Sequence, residues 1–464
     1  MIEVALAPLR ARSHALRAKL HQRLRLGNFT IAVYGNSVPN GRDCVDPASR
    51  TFGECAYPGR LARMLRHAFA NSTVRVIDHT FRATTSARFL TLPDPLTPVD
   101  LFLCDFSLTD GAQLSPWEAT RAVFSLGQRL SRRAEAPALL FVETAEDALL
   151  VRPDMAARAH ELWSIVDAHA AALRALGAPW ISWRDAYWPA FGTPPSKVYW
   201  DAHHPSWKVH QMIADVCFVA LWRLAHGCEA SAHRERDPPP LQANASSSGL
   251  PSLLEGAAAG DPASCLVREP FRTHMQVDAS AHKAERARLF PAVDAVNFAL
   301  AEDVAGKPGW LTGHKAVAAL LSARDGGLPP ANLSVRAAVV SFNATASSRG
   351  GGAVVVGYLR TYDEHMGCAN VTFTIRGQPG QDRGPSGHVL LDGYWQTAIS
   401  LDESYVWALP PPAPTAAEVA GADDAGVGVL VRVEMLPPAS CPERRKSRGP
   451  PTGTKFKITQ LSSC

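Results

Sequence analysis

The chain has 464 residues, 46% of them hydrophobic and 19% charged, with 33 Gly and 36 Pro; that length suits two or three ordinary domains with sizeable cores. Its 47 basic and 43 acidic residues leave a formal net charge of +4, a near balance that gives no sign of nucleic acid or another polyanion as partner. No run of about 18 uncharged apolar residues occurs, so no membrane-spanning helix is expected within the chain.

In chain order, the first 27 residues carry six scattered Arg and Lys and no uninterrupted apolar stretch, which is not the pattern of a signal peptide. An amphipathic leader helix is expected over 1–26, with any signal or anchor lying upstream or trimmed. Short apolar runs then alternate with helical patterns. Strands are predicted at Phe29–Tyr34, Val74–Asp78, Leu101–Phe106, Ala138–Glu143 and Trp180–Trp183, and helices at Gly59–Ala70, Pro116–Arg133, Pro153–Leu176 and Ser206–Ala225. Short strands spaced by helices of three or more turns mean right-handed crossovers and a parallel sheet. The expected fold of 27–228 is therefore a doubly wound, three-layer α/β sandwich.

Between 229 and 263 neither period holds: Asp237-Pro-Pro-Pro, Asn244-Ala-Ser-Ser-Ser and Gly256-Ala-Ala-Ala-Gly260 read as an exposed linker. Over 264–464 the texture is of strands between Gly-rich turns: Val335–Phe342, Ala353–Arg360, Val371–Ile375, His388–Leu391 and Gly428–Met435. These predict a second, β-sandwich-like domain. Pro410–Gly426 and Pro442–Thr454 are low in complexity and expected to be loops.

Asparagine and cysteine speak to the compartment. Six of the nine Asn open an Asn-x-Ser/Thr triplet: Asn28, Asn71, Asn244, Asn332, Asn343 and Asn370. Ser and Thr make up roughly an eighth of the chain, so chance gives about one such triplet; the excess implies glycosylated surface loops on a secreted or secretory-pathway protein. Cys44 and Cys55 can close a polar loop, whereas Cys104 and Cys217 sit in apolar runs and read as buried small hydrophobes. Cys265, Cys368, Cys441 and Cys464 lie in the C-terminal half, with no pairing fixed by the sequence.

Segments at the carboxyl ends of predicted strands carry the candidate chemistry, because in a parallel sheet such loops converge on one edge. Ile31-Ala-Val-Tyr-Gly35-Asn36-Ser37 runs a buried strand into a sharp turn and leaves Ser37 as a candidate nucleophile or, more plainly, a helix cap. In Asp201-Ala-His203-His204-Pro205 an Asp three residues before a His can set the imidazole tautomer, leaving Nε2 to take a serine proton. His203 competes with His204, and only spacing favours His204. Asp100–Asp110 and Val76–Ser86 run two further strands into small or polar residues, Thr109 and Ala83 among them, that would supply oxyanion donors.

In order, spacing and strand context these blocks resemble the SGNH (GDSL-type) hydrolase family over about 27–228. Gly35-Asn36-Ser37 matches its first block and Asp201-x-x-His204-Pro205 its last. The resemblance implies an SGNH/flavodoxin-like fold and a Ser37-His204-Asp201 triad with an oxyanion hole of Ser37, Ala83 and Thr109. Two departures stand out: Ala83 replaces the family's Gly, and Thr109 replaces its oxyanion-hole Asn. The resulting expectation is a serine esterase acting on acylated carbohydrate or small esters. An O-acyltransferase on glycans, or a catalytically impaired glycan-binding protein, are the alternatives. The C-terminal domain resembles extensions of algal and plant members, and its aromatics at Trp310, Tyr358, Tyr362, Tyr394 and Trp395 either stack on sugars, with cell-wall polysaccharide as a candidate partner, or fill a sandwich core. No Gly-rich phosphate loop, Cys/His metal box or basic-aromatic stripe is present, so no cofactor, metal or nucleic acid is expected.

Overall fold

The computed structural model describes residues 16, 19–24, 27–42, 44–46, 51–92, 94–95, 97–144, 156–183, 200–201, 204–226, 273–276, 290–302, 308–312, 338–347, 352–361, 365–376, 387–394, 401–410, 426–437, 440–441 and 455–464. The chain divides into two compact units, Met1–Leu90 with Asp94–Ala259, and Thr91–Pro93 with Gly260–Cys464. The expected linker at 229–263, the low-complexity segments and most of the 1–26 leader fall outside the described residues. What is described of the leader is a π-helical turn, Leu20–Leu24. Leu16, Leu20 and Leu24 are buried in the first unit's core, so this segment contributes to the fold it precedes.

The first unit is a parallel sheet of β1 (Asn28–Gly35), β2 (Thr73–Thr80), β3 (Leu101–Asp105), β4 (Ala138–Glu143) and β5 (Trp180–Ser182), in the order β2-β1-β3-β4-β5. Every residue of β3 and β4 is buried, as strands covered on both faces require. Beyond the four-residue turn Phe52–Cys55, the helices are α1 (Tyr57–Ala68), the short α2 (Ser86–Phe89), α3 (Ser107–Gln113), α4 (Pro116–Ser131), α5 (Ala156–Leu176) and α6 (Trp207–His226). Before α6, β6 (Trp200–Asp201) and β7 (His204–Pro205) form a small antiparallel pair. Local chemistry sets the helix starts. Pro58 stands in the first turn of α1, and Ser115 and Glu118 form a capping box ahead of α4. Along α6, Val209, Ile213, Val216, Ala220 and Leu224 are buried at helical spacing.

The strand order turns back on itself at β1 and β3, and the crevice outside the carboxyl ends of strands at such a point is where ligands bind in open α/β sheets. At the opposite, amino-terminal ends, Asn28 opens β1 and Asn71 lies just before β2; both side chains are exposed.

The second unit is antiparallel. One sheet orders β10 (Ala299–Glu302), β11 (Pro308–Thr312), β18 (Phe456–Ser463), β13 (Ala353–Arg360) and β16 (Leu401–Ala408), with β8 (Thr273–Gln276) also pairing with β18. The other orders β15 (Gly387–Asp392), β14 (Cys368–Arg376), β17 (Val427–Met435), β12 (Val339–Ala346) and β9 (Asp294–Val296). Val354 and Val356 from the first sheet and Phe342, Phe373 and Val431 from the second share one core, which makes a sandwich. Asn343 and Asn370 lie on strands rather than in loops, Asn343 exposed and Asn370 half-buried. Trp310 donates through Nε1 to the Phe290 carbonyl at 2.9 Å and meets the Phe342 ring edge-on, and Tyr358 stacks on Phe456. These two aromatics are thus packing residues; Tyr362 and Trp395 lie outside the described residues.

Candidate active site

The turn after β1 brings the candidate nucleophile to the carboxyl edge. A Cβ on Gly35 would lie 2.5 Å from the Asp105 carbonyl oxygen and 2.6 Å from Pro39 Cγ, so only glycine lets β1 run this close to β3. The Asn36 N–H donates to that same Asp105 carbonyl at 3.2 Å, and its side-chain Oδ1 accepts from the Val38 N–H at 2.9 Å. Between these anchors Ser37 is 8% exposed. His204 Nε2 lies 2.9 Å from Ser37 Oγ, a distance at which the imidazole can take the hydroxyl proton. Asp201 pairs with His204 across the β6–β7 ladder. The Asp201 side chain and all of His203 are outside the described residues.

The two departures from the family pattern have distinct structural outcomes. Ala83 adopts φ +56°, the left-handed conformation that explains a glycine preference at this position. The Thr109 hydroxyl, buried at the start of α3, donates its single proton toward the Thr84 carbonyl at 2.7 Å, with the Phe106 carbonyl at 3.2 Å as the alternative acceptor. Its oxygen accepts from Asn36 Nδ2 at 3.2 Å. The proton expected to face an oxyanion is thereby committed to a carbonyl, and Thr109 instead ties the residue before Ser37 to the residue after Ala83.

A disulfide joins Cys44 to Cys55 and closes the segment that follows Ser37. Arg60, buried on α1, donates to the Cys55 carbonyl at 2.6 Å and to Gln211 Oε1 at 2.8 Å, pairs with Asp46, and lies over the Trp207 ring. The nucleophile loop is thus joined to α6, which follows His204. Cys104 and Cys217 are buried free thiols, as their apolar surroundings predict, and burial pushes both thiols up. Cys368 bonds Cys441, and Cys464 is also disulfide-bonded.

Sequence reading missed His210. On α6, its Nδ1 accepts the Tyr57 N–H at 3.3 Å, so Nε2 carries the ring proton; that atom is buried without a partner among the described residues. Burial, then Arg60 and His204, lower its pKa to about 3. The signal was faint: His210 falls among the apolar positions of α6 and reads as one more core-facing residue. Asp105 is equally buried. It accepts from Thr144 Oγ1 at 2.8 Å and from the Tyr57 hydroxyl at 3.2 Å, and burial raises its pKa well above the carboxylate range.

No family model matches the chain, and no curated protein matches it. Among solved structures, a two-domain esterase named CEX, active on acetylated mannans, is similar over 98% of this chain and 95% of that one, at 14% identity and a TM-score of 0.55. The same esterase co-crystallised with mannopentaose aligns over 97% and 95%, at 14% identity and a TM-score of 0.54. A variant of Axe2, an acetyl xylan esterase from Geobacillus stearothermophilus, covers 42% of this chain and 96% of its own, at 14% identity and a TM-score of 0.32. At such identities the full-length likeness establishes the fold: an α/β unit with a parallel five-stranded sheet, and a separate antiparallel β-rich unit.

Proposed function

We propose that this protein is a serine esterase that removes acyl groups from carbohydrate, with Ser37 as nucleophile, His204 as general base and Asp201 orienting the imidazole. The observation that carries the reading is the 2.9 Å approach of His204 Nε2 to Ser37 Oγ, where the strand order turns back. The full-length fold likeness to an esterase active on acetylated mannans supports the substrate class. The disulfides and six glycosylation triplets support a secretory setting.

In the reaction, Ser37 Oγ bonds to the ester carbonyl carbon as its proton passes to His204 Nε2. The tetrahedral oxyanion accepts hydrogen bonds from the N–H groups of Ser37 and Ala83. Collapse breaks the bond to the alcohol oxygen, which leaves with the imidazolium proton. Water, deprotonated by His204, then attacks the acyl-serine and releases the carboxylic acid. Thr109 serves the oxyanion hole by holding both of its walls.

The test is hydrolysis of p-nitrophenyl acetate and of acetylated mannan by Ser37→Ala. Turnover should fall by at least about 10³-fold with thermal unfolding unchanged. Undiminished turnover overturns the assignment.

A further inference from the structure

Behind the carboxyl edge lies a fully buried trio of ionisable side chains that the proposed chemistry does not use. His169 of α5 contacts Glu143, at the end of β4, through Nδ1 at 2.9 Å, and Asp110 of α3 through Nε2 at 3.0 Å. None of the three side chains is more than 1% exposed. With a carboxyl group at each ring nitrogen, the geometry favours an imidazolium that donates to both. Burial alone would lower the His169 pKa, but Glu143 and Asp110 outweigh it and push it up to about 10.

Asp110 has a second set of partners. Its Oδ1 accepts from the Ser86 N–H at 2.8 Å, and its Oδ2 accepts from the Ser86 hydroxyl at 2.5 Å. Ser86 is buried and begins α2, three residues past Ala83. Adjacent residues of α3 therefore grip the 83–86 turn twice, Thr109 at the Thr84 carbonyl and Asp110 at Ser86. The turn needs such a grip, because Ala83 is held in a conformation that its Cβ disfavours.

We propose that His169 is a positioning residue: clamped by Glu143, it fixes Asp110, and through Ser86 it holds the Ala83 N–H where the oxyanion forms. This rests on the esterase reading. The bridge joins α2, α3 and the end of β4 and fastens them to α5, which fixes the donor's direction before substrate arrives.

The experiment compares an oxygen ester with its thionoester, whose C=S group is a poorer hydrogen-bond acceptor, so the rate ratio reports on the hole rather than on folding or general binding. Wild type should strongly favour the oxygen ester. His169→Gln should lower kcat on the oxygen ester about 10- to 100-fold, leave KM within about twofold and shrink the oxygen-to-sulfur ratio. Ser86→Ala, which keeps the N–H contact, should move the ratio the same way by less. An unchanged ratio in folded His169→Gln, or in Ser86→Ala should His169→Gln fail to fold, overturns the positioning role and leaves the esterase reading standing. No wild-type turnover of either ester rejects that reading and this proposal with it.

Discussion

Asn36 donates through its side-chain amide to the Thr109 hydroxyl at 3.2 Å, and this buried bond ties the residue beside the nucleophile to the helix after β3. Because the same hydroxyl donates to the Thr84 carbonyl, one side chain sets the spacing between the two backbone N–H groups assigned to the oxyanion hole.

Thr109→Val keeps the shape and deletes both bonds. It should lower kcat about 10- to 100-fold and destabilise the fold by about 1–3 kcal/mol, since the Thr84 carbonyl and Asn36 amide lose buried partners. Thr109→Ser should recover most of the rate. Steady-state kinetics with urea unfolding decides; a Val variant as active as wild type removes the bracing role.

Gly35→Ala forces a methyl group against backbone. The 2.5 Å approach to the Asp105 carbonyl cannot be relieved by a flexible side chain, so a loss of about 2 kcal/mol or more is expected. Fluorophosphonate labelling of Ser37 should slow in parallel. A variant with the stability and labelling rate of wild type would show that β1 has room to shift.

Two buried histidines pull stability in opposite directions on either side of about pH 6.5, the ordinary histidine value. The folded-state pKa of His210, near 3, lies below the unfolded value. The unfolded chain therefore takes the proton first, and stability falls as pH drops from about 6.5 toward 3. His169 is raised to about 10; its contribution is complete below about 6.5 and drains away as pH climbs to 10. Urea unfolding of His210→Asn, which keeps an acceptor for the Tyr57 N–H, should lose much of the acid arm and leave the alkaline arm intact. An acid arm of undiminished slope counts against this.

Replacing Cys44 and Cys55 together by Ala opens an eleven-residue separation, with an expected cost of about 3 kcal/mol from loop entropy. Since the closed segment begins seven residues after Ser37, labelling of Ser37 should also become slower. Calorimetry with and without reductant measures the first effect; a reductant-insensitive unfolding temperature in wild type contradicts it.

The first unit was legible because its signals are local. Continuous apolar runs such as Ala138–Val142 mark doubly covered strands, and the strands formed within two residues of those expected at each end. Ser37 and His204 could be paired from two short blocks because parallel topology sends strand ends to one rim. The second unit hid more. β18 reads Phe-Lys-Ile-Thr-Gln-Leu-Ser-Ser, too polar to suggest an interior strand, yet it pairs with β8, β11 and β13 and buries Lys457, Gln460, Ser462 and Ser463. Its place is decided by backbone pairing with strands far away in sequence, which no local period records. His169 was hidden for a related reason. In the Ala-rich helix α5 it is one of several polar residues, and its meaning comes entirely from Glu143 and Asp110 on other elements. The Thr109 hydroxyl misled in the reverse sense: its chemistry fitted a donor, but the carbonyl beside it captured the proton.

The placement of Asn28 and Asn71 carries a practical meaning. Both stand at the sheet's far end from Ser37, so oligosaccharides attached there would point away from the reacting groups. Tethered by those sugars to a bead, the first unit would turn the carboxyl edge of its sheet, with Ser37, away from the support.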